Sequence, residues 1–129
     1  MEEVYLNYVC PRCFYTPREC VCERAPWELV CIDRNIQEHI RILNQKGYKT
    51  EYCCESHSKY ENLYISFYDD YGLGDAVTLP DGFKFNKRGK YIEYLYNRKI
   101  TDQEFEKQKK EQLAILLEWC IGLPEYHKI

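Results

Sequence analysis

Cys10-Pro11-Arg12-Cys13 and Cys20-Val21-Cys22 place half of the chain's eight cysteines within thirteen residues, in two tight pairs. Each pair can bend its backbone around one tetrahedral ion, and closed structural sites hold Zn²⁺ by four thiolates at about 2.3 Å. The first pair has the C-P-x-C form of a knuckle, while the second has a single intervening residue. Disulfides and ordinary buried thiols are the competing uses of such cysteines. A closed four-cysteine site leaves no coordination position for substrate, so the predicted role of Cys10, Cys13, Cys20 and Cys22 is to hold a structural zinc ion. Too few apolar residues surround them to build a core, so metal ligation would supply the folding energy of this segment.

At 129 residues the chain fits one domain, or a domain with a small appendage. The expected division is a zinc-knuckle segment over residues 1–26 and an α+β domain over 27–129, joined near Arg24-Ala25-Pro26. The formal charge of −3 gives no bulk attraction to nucleic acid or to an anionic membrane. Met1 is followed by two glutamates rather than a basic start and an apolar run, and no stretch is long and apolar enough to span a bilayer. Eight cysteines in that setting favour a reducing compartment, expected to be the cytoplasm, and metal over disulfides.

Going outward, Glu3 to Tyr8 reads as a strand leading into the first pair, and Leu29-Val30-Cys31-Ile32 as a buried strand. Asp33 is placed to N-cap a helix whose apolar face is Ile36, Ile40 and Leu43, with His39 on its polar side and Gly47 as its left-handed stop. Further strands are expected over 49–54, 62–68, 83–85 and 91–96. Thr101-Asp102-Gln103-Glu104 is a capping box that opens the longest helix, which Gly122 and Pro124 end. The predicted fold is α+β, with a mixed sheet of four to five strands, two main helices and the N-terminal zinc knuckle.

Two further groups could bind something. The turn in Cys53-Cys54-Glu55-Ser56-His57 offers backbone N–H groups, a hydroxyl and an imidazole to an anion, and Tyr64 and Tyr68 on the following strand could stack a base. Cys54, Ser56, His57 and Tyr64 are therefore the predicted ligand-binding residues. Cys54 and His57 also have metal-ligand spacing, whereas Cys53 and Cys54 point to opposite faces of a strand unless a bulge intervenes. Lys87, Arg88 and Lys90 are the one concentrated positive run, a hairpin tip that could contact phosphate. No Gly-rich phosphate loop, H-E-x-x-H or G-x-S-x-G motif is present, which favours binding over catalysis.

The segments Ile32-Asp33-Arg34-Asn35-Ile36, Leu43 through Thr50, Tyr52-Cys53-Cys54-Glu55-Ser56-His57 and Tyr64-Ile65-Ser66-Phe67 resemble a group of small phage-type and Clostridium-type proteins. The leading knuckle, Leu79-Pro80-Asp81-Gly82-Phe83 and the final tryptophan-bearing helix fit the same pattern. That group usually reads C-C-E-G-H at the turn; Ser56 stands here in place of glycine, which disfavours a left-handed backbone there. The resemblance implies a non-enzymatic protein of a phage or mobile element. Such a protein would bind a host protein or sequester a small nucleotide-like ligand, as an anti-CRISPR or other anti-defence inhibitor does. A second likeness runs from Asp33 to His57, which is similar to the opening of the wybutosine-tRNA methyltransferase family, with His57 where that family has arginine. It implies an α/β ligand-binding core and leaves a small RNA-modifying enzyme as one alternative. A zinc-containing nucleic-acid-binding regulator, using the knuckle and the Lys87–Lys90 turn, is the other.

Overall fold

The computed structural model describes residues 7–17, 19–22, 29–68, 78–86, 88 and 90–126. Its centre is β4 (Leu63–Phe67), whose alternation puts Leu63, Ile65 and Phe67 wholly into the core and Tyr64 on the opposite face. β3 (Thr50–Cys54) flanks it on one side; β6 (Tyr91–Tyr94) and then β5 (Lys84–Asn86) follow on the other, giving the order β3-β4-β6-β5. Among the described residues every pairing in this sheet is antiparallel, which corrects the expected mixed sheet. The reason is the connections: β3 to β4 and β5 to β6 are short returns, whereas parallel neighbours need a long crossover.

The register fixes which side chains share a face. Cys54 lies opposite Tyr64, which lies opposite Glu93, and Ser66 lies opposite Tyr91. The β3–β4 register shifts between Thr50 and Cys53, where the Tyr52 N–H donates to the Ser66 hydroxyl at 3.0 Å. Cys53 and Cys54 follow that irregularity and still point to opposite faces, Cys53 packing against the core.

A single 3-10 turn (Arg34–Ile36) leads into α1 (Gln37–Gln45), and α2 (Asp102–Gly122) packs against α1. Ile36, Ile40 and Leu43 meet Phe105, Leu116 and Cys120 beneath the sheet in one buried cluster. The predicted capping box opens α2: the Thr101 hydroxyl accepts from the Glu104 N–H at 3.0 Å, and the Glu104 carboxylate accepts from the Thr101 N–H at 3.3 Å. At the other end Lys46 Nζ donates to the carbonyls of Cys120, Ile121 and Leu123 at 3.0, 2.5 and 2.6 Å. A cation there meets the negative end of the helix dipole. Gly47, at φ +95°, turns the chain after α1; a Cβ there would press on Tyr126 at 3.3 Å.

Three local expectations change. His39 is buried rather than on the surface, its Nε2 donating to the Leu113 carbonyl at 2.7 Å across the helix pair. Asp33 precedes the 3-10 turn but makes no capping bond with its side chain. The predicted buried strand over 29–32 is the two-residue β2 (Val30–Cys31), exposed at both positions. It pairs antiparallel with β1 (Tyr8–Val9) in a separate two-stranded ribbon, and Val30 and Cys31 border a cavity that β3 lines from the other side. Val9 and Ile32 nevertheless enter the main core, and the Ile32 N–H donates to the Asn7 carbonyl at 2.7 Å. The ribbon thus ties the cysteine-rich segment to the rest of the molecule. Of the strand expected over 3–8, Tyr8 lies in β1, Asn7 is in a turn and residues 3–6 lie outside the described residues, as do the linker at 24–26 and the division drawn there.

Candidate metal and ligand sites

Two reversals of the chain build the N-terminal cluster. The Cys10 N–H donates to the Tyr15 carbonyl at 2.9 Å and the Phe14 N–H to the Cys10 carbonyl at 2.8 Å, with Phe14 left-handed at φ +61°. Thr16 then offers its carbonyl to the N–H groups of Glu19 and Cys20, at 3.0 and 2.9 Å, which returns the chain toward the first pair. As a result the sulfur atoms of Cys10, Cys13, Cys20 and Cys22 all lie within 4.8 Å of one another. Backbone N–H groups point at two of them, Arg12 to Cys10 Sγ at 3.4 Å and Cys22 to Cys20 Sγ at 3.3 Å. These four residues form a candidate metal-binding cluster capable of coordinating one ion, and none of the eight cysteines is in a disulfide.

Crowding sets their protonation. At Cys10 burial opposes ionisation, but the N–H groups of Cys13 and Arg12 and the thiols of Cys20 and Cys13 outweigh it and draw the pKa down to about 7. Cys13 is pushed up to about 12, by burial first and then by the surrounding thiols. Four thiols this close cannot all ionise side by side; a bound cation removes that conflict.

The second cluster forms where β3 ends. Ser56 is fully buried at φ +71°, so the backbone is left-handed where serine was expected to disfavour it. Its hydroxyl, 2.8 Å from the carbonyl oxygens of both Ser58 and Glu61, is engaged in closing the turn. Glu55 is buried beneath, accepting from Asn35 Nδ2 and Lys109 Nζ, each at 2.8 Å, which fastens the turn to the 3-10 turn before α1 and to α2. Burial works against its charge, yet Lys109 and Asn35 hold its carboxyl below the ordinary range.

Above that anchor, His57 Nδ1 lies 3.2 Å from Glu61 Oε2 and Nε2 lies 3.3 Å from Asp33 Oδ1. Cys54 Sγ accepts from the Ser56 N–H at 3.3 Å and lies 3.5 Å from Glu61 Oε2. Asp33, Cys54 and His57 each bring a ligand-type atom within 4.8 Å of the others. The Glu61 hydrogen bond raises the His57 pKa, against burial and with Asp33 adding to it. Cys54 is raised by burial first and then by the Glu61 and Asp33 carboxylates. Sequence reasoning passed over both carboxylates. Asp33 read as a cap, and only the fold carries it to the turn, where Oδ2 also accepts the Glu55 N–H at 3.1 Å. Glu61, four residues after His57, was within reach of a spacing argument.

Tyr64 lies beside this turn, in a groove of about 600 Å³ on the outer face of the sheet, with Tyr52 and Tyr91. Glu51, Glu61 and Glu93 also line it, and none of its described lining residues is basic. Tyr68, the other predicted stacking residue, lies elsewhere. It borders a second cavity of about 510 Å³ between the cysteine-rich segment and β3, with Arg12, Phe14, Lys49 and Tyr52. The structure therefore does not bring Tyr64 and Tyr68 to one site. Of the basic run, Arg88 and Lys90 are exposed at the β5–β6 turn, and Lys87 lies outside the described residues. No described helix is long and apolar enough to cross a membrane. No family model, curated protein or solved structure matches the chain.

Proposed function

We propose that this chain is a zinc-stabilised, non-enzymatic binding protein of phage or mobile-element type that engages a basic segment of a host protein. The groove on the outer sheet face carries that reading. Three tyrosines and three glutamates line it, with no basic side chain among its described lining residues. Ring faces and carboxylates attract ammonium and guanidinium groups, each cation–π contact contributing about 0.5–2 kcal/mol. They repel the phosphates of a nucleotide. The cysteine cluster supports the stabilising role: four thiolates suit zinc, and a closed site holds structure without exposing a reactive position. An inhibitor of host antiviral defence would have this form, a small folded surface with no reaction to perform.

A nucleotide-like ligand is the second reading, favoured by the other cavity, where Arg12 and Lys49 stand near Phe14 and Tyr68. One titration series separates the two. An arginine-rich peptide should bind the full chain, and Glu51→Lys with Glu93→Lys should weaken it at least tenfold, while Arg12→Ala with Lys49→Ala leaves it unchanged. Saturable binding of a nucleoside triphosphate that is lost in the Arg12/Lys49 variant, with no peptide binding, would replace the first reading by the second.

A further inference from the structure

We infer a second metal site at the end of β3, formed by Asp33, Cys54 and His57, that takes one divalent transition-metal ion of the zinc type. This site adjoins the groove, which Cys54 and Glu61 also line, and shares no residue with the cysteine cluster. Its donors are a thiol, an imidazole and a carboxylate, and they converge within 4.8 Å from two distant parts of the chain. That mixture of soft and borderline ligands is one that zinc accepts and magnesium or calcium does not.

Three observations carry the assignment. First, His57 Nε2 and Asp33 Oδ1 stand 3.3 Å apart, a separation that two ligands of one ion adopt when each sits about 2.1 Å from it. Second, Glu61 stands behind the imidazole, its Oε2 3.2 Å from Nδ1, in the place of the carboxylate that orients a metal-bound histidine. Third, the Ser56 N–H donates to Cys54 Sγ at 3.3 Å, two residues on, as Arg12 does to Cys10 and Cys22 to Cys20. The same local bond thus recurs at both clusters, and it favours the thiolate over the thiol.

A thiol nucleophile served by histidine fits less well. Both nitrogens of His57 face carboxylates, so neither is free to take a proton from Cys54, and two carboxylates beside the sulfur oppose an unpaired thiolate. A cation satisfies every one of these groups. With three protein ligands and His57 more than half exposed, the ion would keep a coordination position open to solvent or to a ligand.

Cobalt(II) titration of the full-length reduced protein tests this. Thiolate-to-metal absorption should rise in two steps, a strong one from the four-cysteine cluster and a weaker one from the single thiolate of Cys54. Cys54→Ser and His57→Ala should each abolish the second step and leave the first. His57 is exposed, so its variant keeps the fold, which the unchanged first step verifies. Glu61→Gln should weaken the second step by about 10–100-fold. A single step in the native protein, or a second step that survives both Cys54→Ser and His57→Ala, would overturn the assignment.

Discussion

Glu55 decides how firmly the Cys54–His57 turn is held, because its carboxylate is buried and charged at once. Its ion pair with Lys109 is shielded on both sides, with 7% and 13% of the two side chains exposed. Removing one partner of such a pair leaves a buried charge alone and costs about 3–5 kcal/mol; removing both costs less. We expect Glu55→Gln and Lys109→Met each to destabilise strongly in urea unfolding, with the double variant losing much less than their sum. Since the folded pKa of Glu55 is lowered from 4.5, its contribution is present above that value and is lost as pH falls through the lower folded value. His57 runs the other way: raised from 6.5, it stabilises fully below that pH and loses its contribution as pH rises through the higher folded value. An acid titration of Glu55→Gln should therefore show a flatter fall in stability below about pH 4.5 than the parent. The Glu55–Lys109 pairing was not legible in the sequence. Glu55 and Lys109 are 54 positions apart, and local spacing says nothing of which distant helix a turn will meet. That Cys54, Ser56 and His57 crowd one turn was legible, but that the buried Ser56 hydroxyl closes the turn instead of facing a ligand was not.

Among the elements, α2 depends on its two ends. Its start was readable because a capping box is a local code, Thr101 and Glu104 satisfying each other's backbone N–H groups. Its end was read from Gly122 and Pro124, yet the group that satisfies its last carbonyls is Lys46, on the loop after α1. A hydrogen bond to a charged group contributes about 1.5–3 kcal/mol, so Lys46→Met should destabilise by about that much, measured by thermal or urea unfolding. Faster amide exchange at the last turn of α2 than in its middle would place the loss there. His39 teaches the same point. By periodicity it falls between the apolar positions of α1, but α2 crosses over it and supplies the Leu113 carbonyl as a partner. The strands of the sheet were legible from alternation, with Leu63, Ile65 and Phe67 inward. The antiparallel β5–β6 hairpin was legible too, but the order of the other strands and their antiparallel sense were not, because those depend on which strand folds back beside β4.

Across the whole molecule, the cysteine-rich segment is fastened through a ribbon of two short strands whose Val9 sits inside the common core. Loss of metal should therefore be felt beyond the cluster, as faster exchange at the Ile32 amide, which donates to the Asn7 carbonyl. The cluster itself was legible because all four cysteines lie within one short stretch, so two tight turns suffice to gather them. The groove was not, since its tyrosines and glutamates come from β3, β4, β6 and the turn before β4. The most direct measurement is bound zinc in the purified, reduced protein, with thiols counted before and after chelation. We expect bound zinc, and Cys10, Cys13, Cys20 and Cys22 among the thiols that become reactive only once it is stripped. Protein that folds without metal, with those four thiols equally reactive before and after chelation, would contradict a zinc-stabilised fold.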